Sequence, residues 1–316
     1  MPERAAPPPD PQLVSRARGA LIGLVAGNQI GVPTEKYGTP EAIRDAFPNG
    51  VWDPAPPPKG SPYDDDAALA LLLAESLVER GEFDSADVAG RWVKWMKVDG
   101  RGLTPQTRRA LRSVERGIEP FEAGRRAAAE SGARSTDAGS GAVCAVPMAI
   151  RYHDNPDRLI RAATQQAALT HPDDRCLWAA AAVALAAREL ISGNPYFVDE
   201  VLHRIEDRAP RLVVEAARRS LRSSQEDLPI VKASEGGPVV DGIEIAFWYA
   251  THARSLEDAL VYLAQAGGNT GTNAALAGAL LGARDGEAEI PPRWMGLIAG
   301  AEGVARLADR LVLRGE

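Results

Sequence analysis

Hardly any segment of this chain alternates apolar and polar residues with period two, while almost every one repeats its apolar residues at helical spacing. A chain patterned in that way has no strand faces to pair, so the expected fold is all-α. No fixed-period repeat occurs and nothing after residue 12 resembles a linker, which leaves one domain over residues 12–316. The proline-rich opening, residues 1–11, is expected to be a disordered tail.

Within this pattern one stretch carries unusual chemistry. Ser61-Pro62-Tyr63-Asp64-Asp65-Asp66 precedes the apolar run AALALLLAESLVERG. Proline and aspartate are helix-start residues, since a carboxylate caps free N–H groups and suits the positive end of the helix dipole. The helix behind them is Ala and Leu on most faces, so burial nearly all round is expected. Three like charges at such a mouth repel, and water, cationic side chains or a bound metal must offset them. Oxygen-only ligands favour a hard ion such as Mg2+, Mn2+ or Ca2+. The plainer alternative is an N-cap with two solvated neighbours.

A second helix mouth has the same design. Gly267-Gly268-Asn269-Thr270-Gly271-Thr272-Asn273 leads into AALAGALLGARDG. Glycines allow a tight bend that exposes N–H groups, and Thr and Asn offer oxygens. With their N-termini together, the two helices would frame a polar pocket. The first helix, from Leu13, carries small residues Gly19, Gly23, Ala26 and Gly27 that let a partner approach closely. It is expected to break at Gly31-Val32-Pro33, leaving Asn28 and Glu35 near its end.

Further helices are expected over 84–96, with Trp92 and Trp95 on one side, over 107–117, and as a short surface helix within 119–137. The glycine-rich turn Asp137-Ala138-Gly139-Ser140-Gly141 feeds AVCAVPMAIRY, where Pro147 either kinks a helix or marks its true start. Two Ala/Leu-rich helices, 154–169 and 176–191, are joined by Thr170-His171-Pro172-Asp173-Asp174. Mixed-charge helix is expected over 195–220, a loop over 223–238, and helices over 239–253, 256–265 and 295–313.

A net charge of −7 argues against generic binding to nucleic acid or to an anionic membrane. It still permits a small phosphorylated ligand held by local groups. The two cysteines, Cys144 and Cys176, have neither CxxC nor zinc spacing. No signal-peptide core and no uninterrupted membrane-length apolar run occur. A cytoplasmic protein with no nucleic-acid or membrane partner is the expectation.

Several segments, taken in order, are similar to the motifs of one family. RARGALIGLVAGNQIGVPTE resembles the opening of the ADP-ribosylglycohydrolase family, and DDDAALALLLAESL resembles its TDDTAMALALAESL. WVKWMKVDGRGLTPQTRRAL, GSGAVCAVP, ALTHPDDRCLWAAAAVALA and the stretch ending in AGGNTGTNAALAGALLGA match further motifs over residues 14 to 300. The resemblance implies a compact, single-domain orthogonal helical bundle with a binuclear Mg2+ site at the helix mouths. It also implies hydrolysis of the glycosidic bond joining ADP-ribose to a protein side chain or a small acceptor, including nucleoside derivatives.

By resemblance, Asp65 and Asp66 fall on the family's paired aspartates, with Asp64 where the family has Thr. Glu35 falls on the glutamate beside the substrate, so Glu35, Asp65 and Asp66 are the catalytic candidates. Gly139, Ser140 and Gly141 fall on the turn that supports ADP-ribose and His171 on a cleft-lining histidine, a position that also suits helix capping. Asn28, Gly268 and Thr270 complete the candidate substrate contacts.

The departures concentrate on the metal site. In the family's GGDTDT motif both aspartates are replaced, by Asn269 and Gly271; Asn28 replaces an aspartate and Ala67 a threonine. Position by position, Gly139 to Cys144 lacks the Asn and Arg of the family's NGSAMR. Two divalent ions within about 4 Å need bridging carboxylates to screen them. The expectation is therefore one ion or none, held by Asp64, Asp65, Asp66, Asn269 and Thr272. With no ion, crowded carboxylates would raise one another's pKa, leaving one as an acid and Glu35 as a base. Three functions remain open: an ADP-ribosyl or related ribosyl hydrolase, an inactive ADP-ribose or nucleotide binder, and a relative acting on another nucleoside or sugar.

Overall fold

Proline and glycine divide the chain into helices, and a computed structural model describes residues 9–55, 62–131, 139–232, 234 and 237–313. Residues 1–8 of the expected tail, Ser61, Asp137 and Ala138 lie outside these. The first half contains α1 (Pro11–Glu35), α2 (Pro40–Ala46), α3 (Asp65–Arg80), α4 (Ser85–Val98), α5 (Pro105–Glu115), α6 (Pro120–Ser131), α7 (Ser140–Val143) and α8 (Val146–Arg151). Then follow α9 (Pro156–Ala168), α10 (Asp174–Ile191), α11 (Phe197–Ile205), α12 (Arg211–Arg219), α13 (Pro238–His252), α14 (Leu256–Gln265), α15 (Thr270–Asp285), α16 (Pro292–Met295) and α17 (Ala301–Val312). No strand occurs among the described residues. The fold is all-α, around one continuous hydrophobic core.

The glycine spacing of α1 sets the centre of that core. Gly19, Gly23, Gly27 and Gly31 lie four apart on one face, and they meet Gly282, Gly278, Ala274 and Thr270 of α15 in that order. Rising numbers on one helix meet falling numbers on the other, so the pair is antiparallel. A Cβ on any of the four α1 glycines would land on a backbone carbonyl oxygen of α15. Each helical glycine costs about 1 kcal/mol relative to alanine, a cost offset by the close backbone contact it permits. Helices α10, α13, α14 and α17 pack around the pair. The antiparallel register brings the C-terminal end of α1, with Glu35, to the N-terminal mouth of α15.

Helix α1 does not break at Gly31-Val32-Pro33 but runs through Pro33 to Glu35. Gly31 is a contact residue rather than a hinge: its carbonyl accepts the hydroxyls of Thr34 and Thr270, each at 2.8 Å. Pro33 falls in the last turn, where it forgoes one backbone bond, to the carbonyl four residues back. Pro147 lies in the first turn of α8, so it marks a start and not a kink. The 195–220 region divides at Pro210 into α11 and α12.

Candidate active site

Helix α3 begins at the aspartate run, and its mouth is not solvated. Asp65 and Asp66 are 7% and 3% exposed, and Asp64, at the N-cap position, makes no capping bond with its side chain. This overturns the reading of one cap with two hydrated neighbours. The Thr272 hydroxyl donates to Asp66 Oδ2 at 2.7 Å, which joins the mouths of α3 and α15 directly. Gly102 lies against the other two carboxylates: its Cβ would strike Asp64 Oδ1 and Asp65 Oδ1 and sit 2.9 Å from Asp64 Cγ. Its φ of +79° is in the left-handed region, so both the turn and the close approach require glycine.

Glu35 completes the cluster from α1. The residue as a whole is exposed, yet its carboxylate lies against Gly271, where a Cβ would be 3.6 Å from Glu35 Cδ and overlap Oε2. Loss of water around the carboxyl raises its pKa from 4.5 to about 7, helped by the charges of Asp66 and Asp64; the Gly271 N–H facing it works in the opposite sense. Asp65 is pushed well above the usual carboxylate range by burial and by the charges of Asp66, Asp64 and Glu35. Burial also raises Asp64, while the Arg101 guanidinium pulls it back. Of these carboxyl groups, Glu35 is the one poised to exchange a proton near neutrality.

A small cavity of about 50 Å³ opens beside these groups, lined in part by Asn28, Val32, Tyr63, Asp64 and Arg101. Asn28 Nδ2 and Asp64 Oδ1 are both buried without a hydrogen-bond partner. Both residues line the cavity, although Asp64 Oδ1 itself lies against Gly102. Larger concavities lie elsewhere, one of about 520 Å³ between α3, α4 and α17 and one of about 810 Å³ along α3 and α4. Both are open to solvent and lack the buried carboxylates, so volume does not decide the site.

The other expected residues divide. Gly139 packs on Thr272 Cγ2, and the α7 turn lies near the carboxylates: the buried Cys144 thiol is pushed up by burial and then by Asp66 and Asp65. Gly141 sits 3.6 Å, measured from its ideal Cβ, from Ala167; the Ser140 side chain lies outside the described residues. Thr270 ties α15 to α1 through Gly31. Gly268, at φ +65°, donates its N–H to Gly38 O at 2.8 Å and supports the turn. His171 is buried, its Nδ1 2.9 Å from Thr170 Oγ1, and burial lowers its pKa to about 4, so the ring is neutral. The cap of α10 is Asp173 rather than His171. Gly102 and Arg101 were not expected to shape the site; the Gly100 and Gly102 pair in DGRGL was the available signal.

Positions 269 and 271 supply no carboxylate, and Glu35 fills the space beside Gly271. Among the described residues no three His, Cys, Asp or Glu side chains converge as a metal cage. Asp64 and Asp65 face Gly102, whereas Asp66 is bonded to Thr272. Asn269 Oδ1 is buried without a partner, a neutral oxygen at the mouth of α15.

An all-α bundle with acidic and Thr-bearing helix mouths joined in one cleft defines a class, and the chain belongs to the ADP-ribosylglycohydrolase family, whose model matches residues 9–316. It is 27% identical to ADP-ribosylarginine hydrolase Tri1 of Pseudomonas putida, covering 95% of this chain and 78% of that one. It is 26% identical to ADP-ribosyl-[dinitrogen reductase] glycohydrolase of Rhodospirillum rubrum over 90% of both chains. Among solved structures, an ADP-ribosylglycohydrolase-related protein complex matches with TM-score 0.76 and 25% identity, covering 96% of this chain and 99% of that one. No helix among the described residues is long and apolar enough to cross a membrane.

Proposed function

We propose that the chain hydrolyses an N- or O-glycosidic bond of an ADP-ribosyl or related ribosyl group, carried on a protein side chain or a small acceptor. One observation carries this reading: Glu35, Asp64, Asp65 and Asp66 gather at the joined mouths of α1, α3 and α15. Asn28 and Asp64, which line the small cavity, give a ribose hydroxyl a donor and an acceptor. Glycoside cleavage passes through a positively charged, oxocarbenium-like state, which neighbouring carboxylates stabilise. It also needs one group to protonate the leaving atom and one to take a proton from water. Glu35, poised at about 7, suits either proton step, and Asp65 and Asp66 are its partners across the cleft. A cation, where one binds, would be a single hard ion, Mg2+, Mn2+ or Ca2+, and Asp64, Asp65, Asp66, Asn269 and Thr272 would have to draw together around it, since among the described residues they form no ready cage; the proton steps belong to side chains.

Incubation of the full chain with arginine- and serine-ADP-ribosylated proteins and with small ADP-ribose derivatives, with and without Mg2+, tests this. ADP-ribose release, lost in Glu35→Gln, is the expected result; no release from any substrate overturns it. The missing carboxylates at 269 and 271 favour a second reading, an inactive ADP-ribose binder. Calorimetry would then record binding without turnover, unchanged by Glu35→Gln.

A further inference from the structure

Tyr63 lines the small cavity at the carboxylates and also the concavity of about 520 Å³ between α3, α4 and α17. That concavity is a groove with apolar walls. Leu71 and Leu72 of α3 face Val304 and Leu307 of α17, each set at the spacing of one helix face. Leu72 and Trp95 also line the concavity of about 810 Å³, so the floor continues along α4 from Ala86 to Val98. Those twelve helical steps span about 18 Å, some three turns of helix. Val98, at the end of the floor, is 85% exposed.

The charges along the groove do not cancel. Asp84 and Asp87 are paired with Arg80 at 4.0 and 2.8 Å, and Arg91 reaches Asp87 at 2.6 Å and Glu75 at 3.5 Å. Among the described residues, Lys94 and Arg310 have no carboxylate within 4 Å, and Arg306 meets the exposed Glu302 at 3.5 Å. Arg306 and Arg310 stand one turn apart on α17. A chain of net charge −7 thus borders its apolar groove with cations. Rim charges select a partner of opposite sign. A flat lipid surface cannot enter a groove walled by helices, whereas a helix lays apolar side chains at i, i+3, i+4 and i+7 into one.

We propose that the groove between α3, α4 and α17 is a docking site for an acidic amphipathic helix of a partner protein, its apolar face on Leu72, Trp95 and Leu307 and its carboxylates on Lys94, Arg306 and Arg310. The inference stands on shape and charge, and holds whether or not the chain hydrolyses anything.

Fluorescence anisotropy of the full chain with a labelled synthetic helix, leucines on one face and glutamates on the other, is the test. Saturable binding is expected with a Kd below about 1 mM, and at least about tenfold weaker binding when lysines replace the glutamates. Arg306→Glu/Arg310→Glu, changed at two exposed positions, should weaken binding about tenfold, and the difference should vanish in about 1 M NaCl, where the Debye length is about 3 Å. Gly303→Leu separates docking from folding. A Cβ at Gly303 meets only the movable end of Arg306, at 3.9 Å, and leucine is the better helix former, so this variant should unfold in no less urea than wild type yet lose binding because its side chain fills the groove. No binding by wild type, equal binding of the glutamate and lysine helices, or full binding by Gly303→Leu each overturns the proposal. So does light scattering that shows two copies of the chain joined through this face, or binding to phosphatidylserine vesicles that Arg306→Glu/Arg310→Glu abolishes.

Discussion

Replacing Gly23 with alanine puts one methyl group between the two central helices. Its Cβ would land on the Gly278 carbonyl oxygen and 2.9 Å from the carbonyl carbon, where ordinary contact begins at 3.4 Å. The helices must therefore part by about 0.5 Å, and by more at the oxygen. A gap of about 0.5–1 Å forfeits a quarter to a half of each atom pair's attraction, itself ~0.1–0.2 kcal/mol. Over about forty atom pairs along the interface this comes to ~1–4 kcal/mol. Alanine's better helix propensity returns about 1 kcal/mol, for a net loss of about 2–3 kcal/mol once the oxygen clash is included. Gly90 in α4 is the control, because a Cβ there meets nothing within 4 Å. Gly90→Ala should stabilise by about 0.5–1 kcal/mol, opposite in sign to Gly23→Ala. Urea unfolding of both variants reads the difference. A Gly23→Ala variant as stable as wild type refutes the claim that α1 and α15 are held by direct backbone contact.

Gly102→Ala forces a Cβ onto the Asp64 and Asp65 oxygens and into a left-handed backbone that costs about 1–2 kcal/mol. Moving those carboxylates should lower kcat/KM about a hundredfold while the chain stays folded, and unchanged turnover would contradict the placement. Glu35 binds its proton more tightly folded than unfolded, so its contribution to stability is full below about pH 4.5, falls as pH rises to about 7 and is flat above. Denaturant midpoints at pH 5 and pH 8 should differ less in Glu35→Gln than in wild type, and equal differences would remove Glu35 from the account.

Much of the architecture was legible because helical period and glycine spacing are local properties. The stripe Gly19, Gly23 and Gly27 announced a close partner, and the aspartate run marked the start of α3. What stayed hidden depends on contacts distant in sequence. Pro33 looks like a break until Thr270 is seen to hold Gly31 through its carbonyl. Helix α2, over Pro40–Ala46, is too short to show a period; Thr39 caps it and Pro40 opens it. Asp64 looks like a cap, yet its side chain makes no capping bond and lies under Gly102, some forty residues on. Gly271 reads as the loss of a carboxylate, and only the fold reveals that Glu35 stands in its space.

The central claim is that the mouths of α1, α3 and α15 form one cleft for a ribose. A crystal structure of the full chain soaked with ADP-ribose tests it most directly. The account predicts the terminal ribose beside Asn28 and Asp64, with its anomeric carbon facing Glu35, Asp65 and Asp66. Ligand density instead in the larger concavity between α3, α4 and α17, with the carboxylate cluster unchanged, would contradict it.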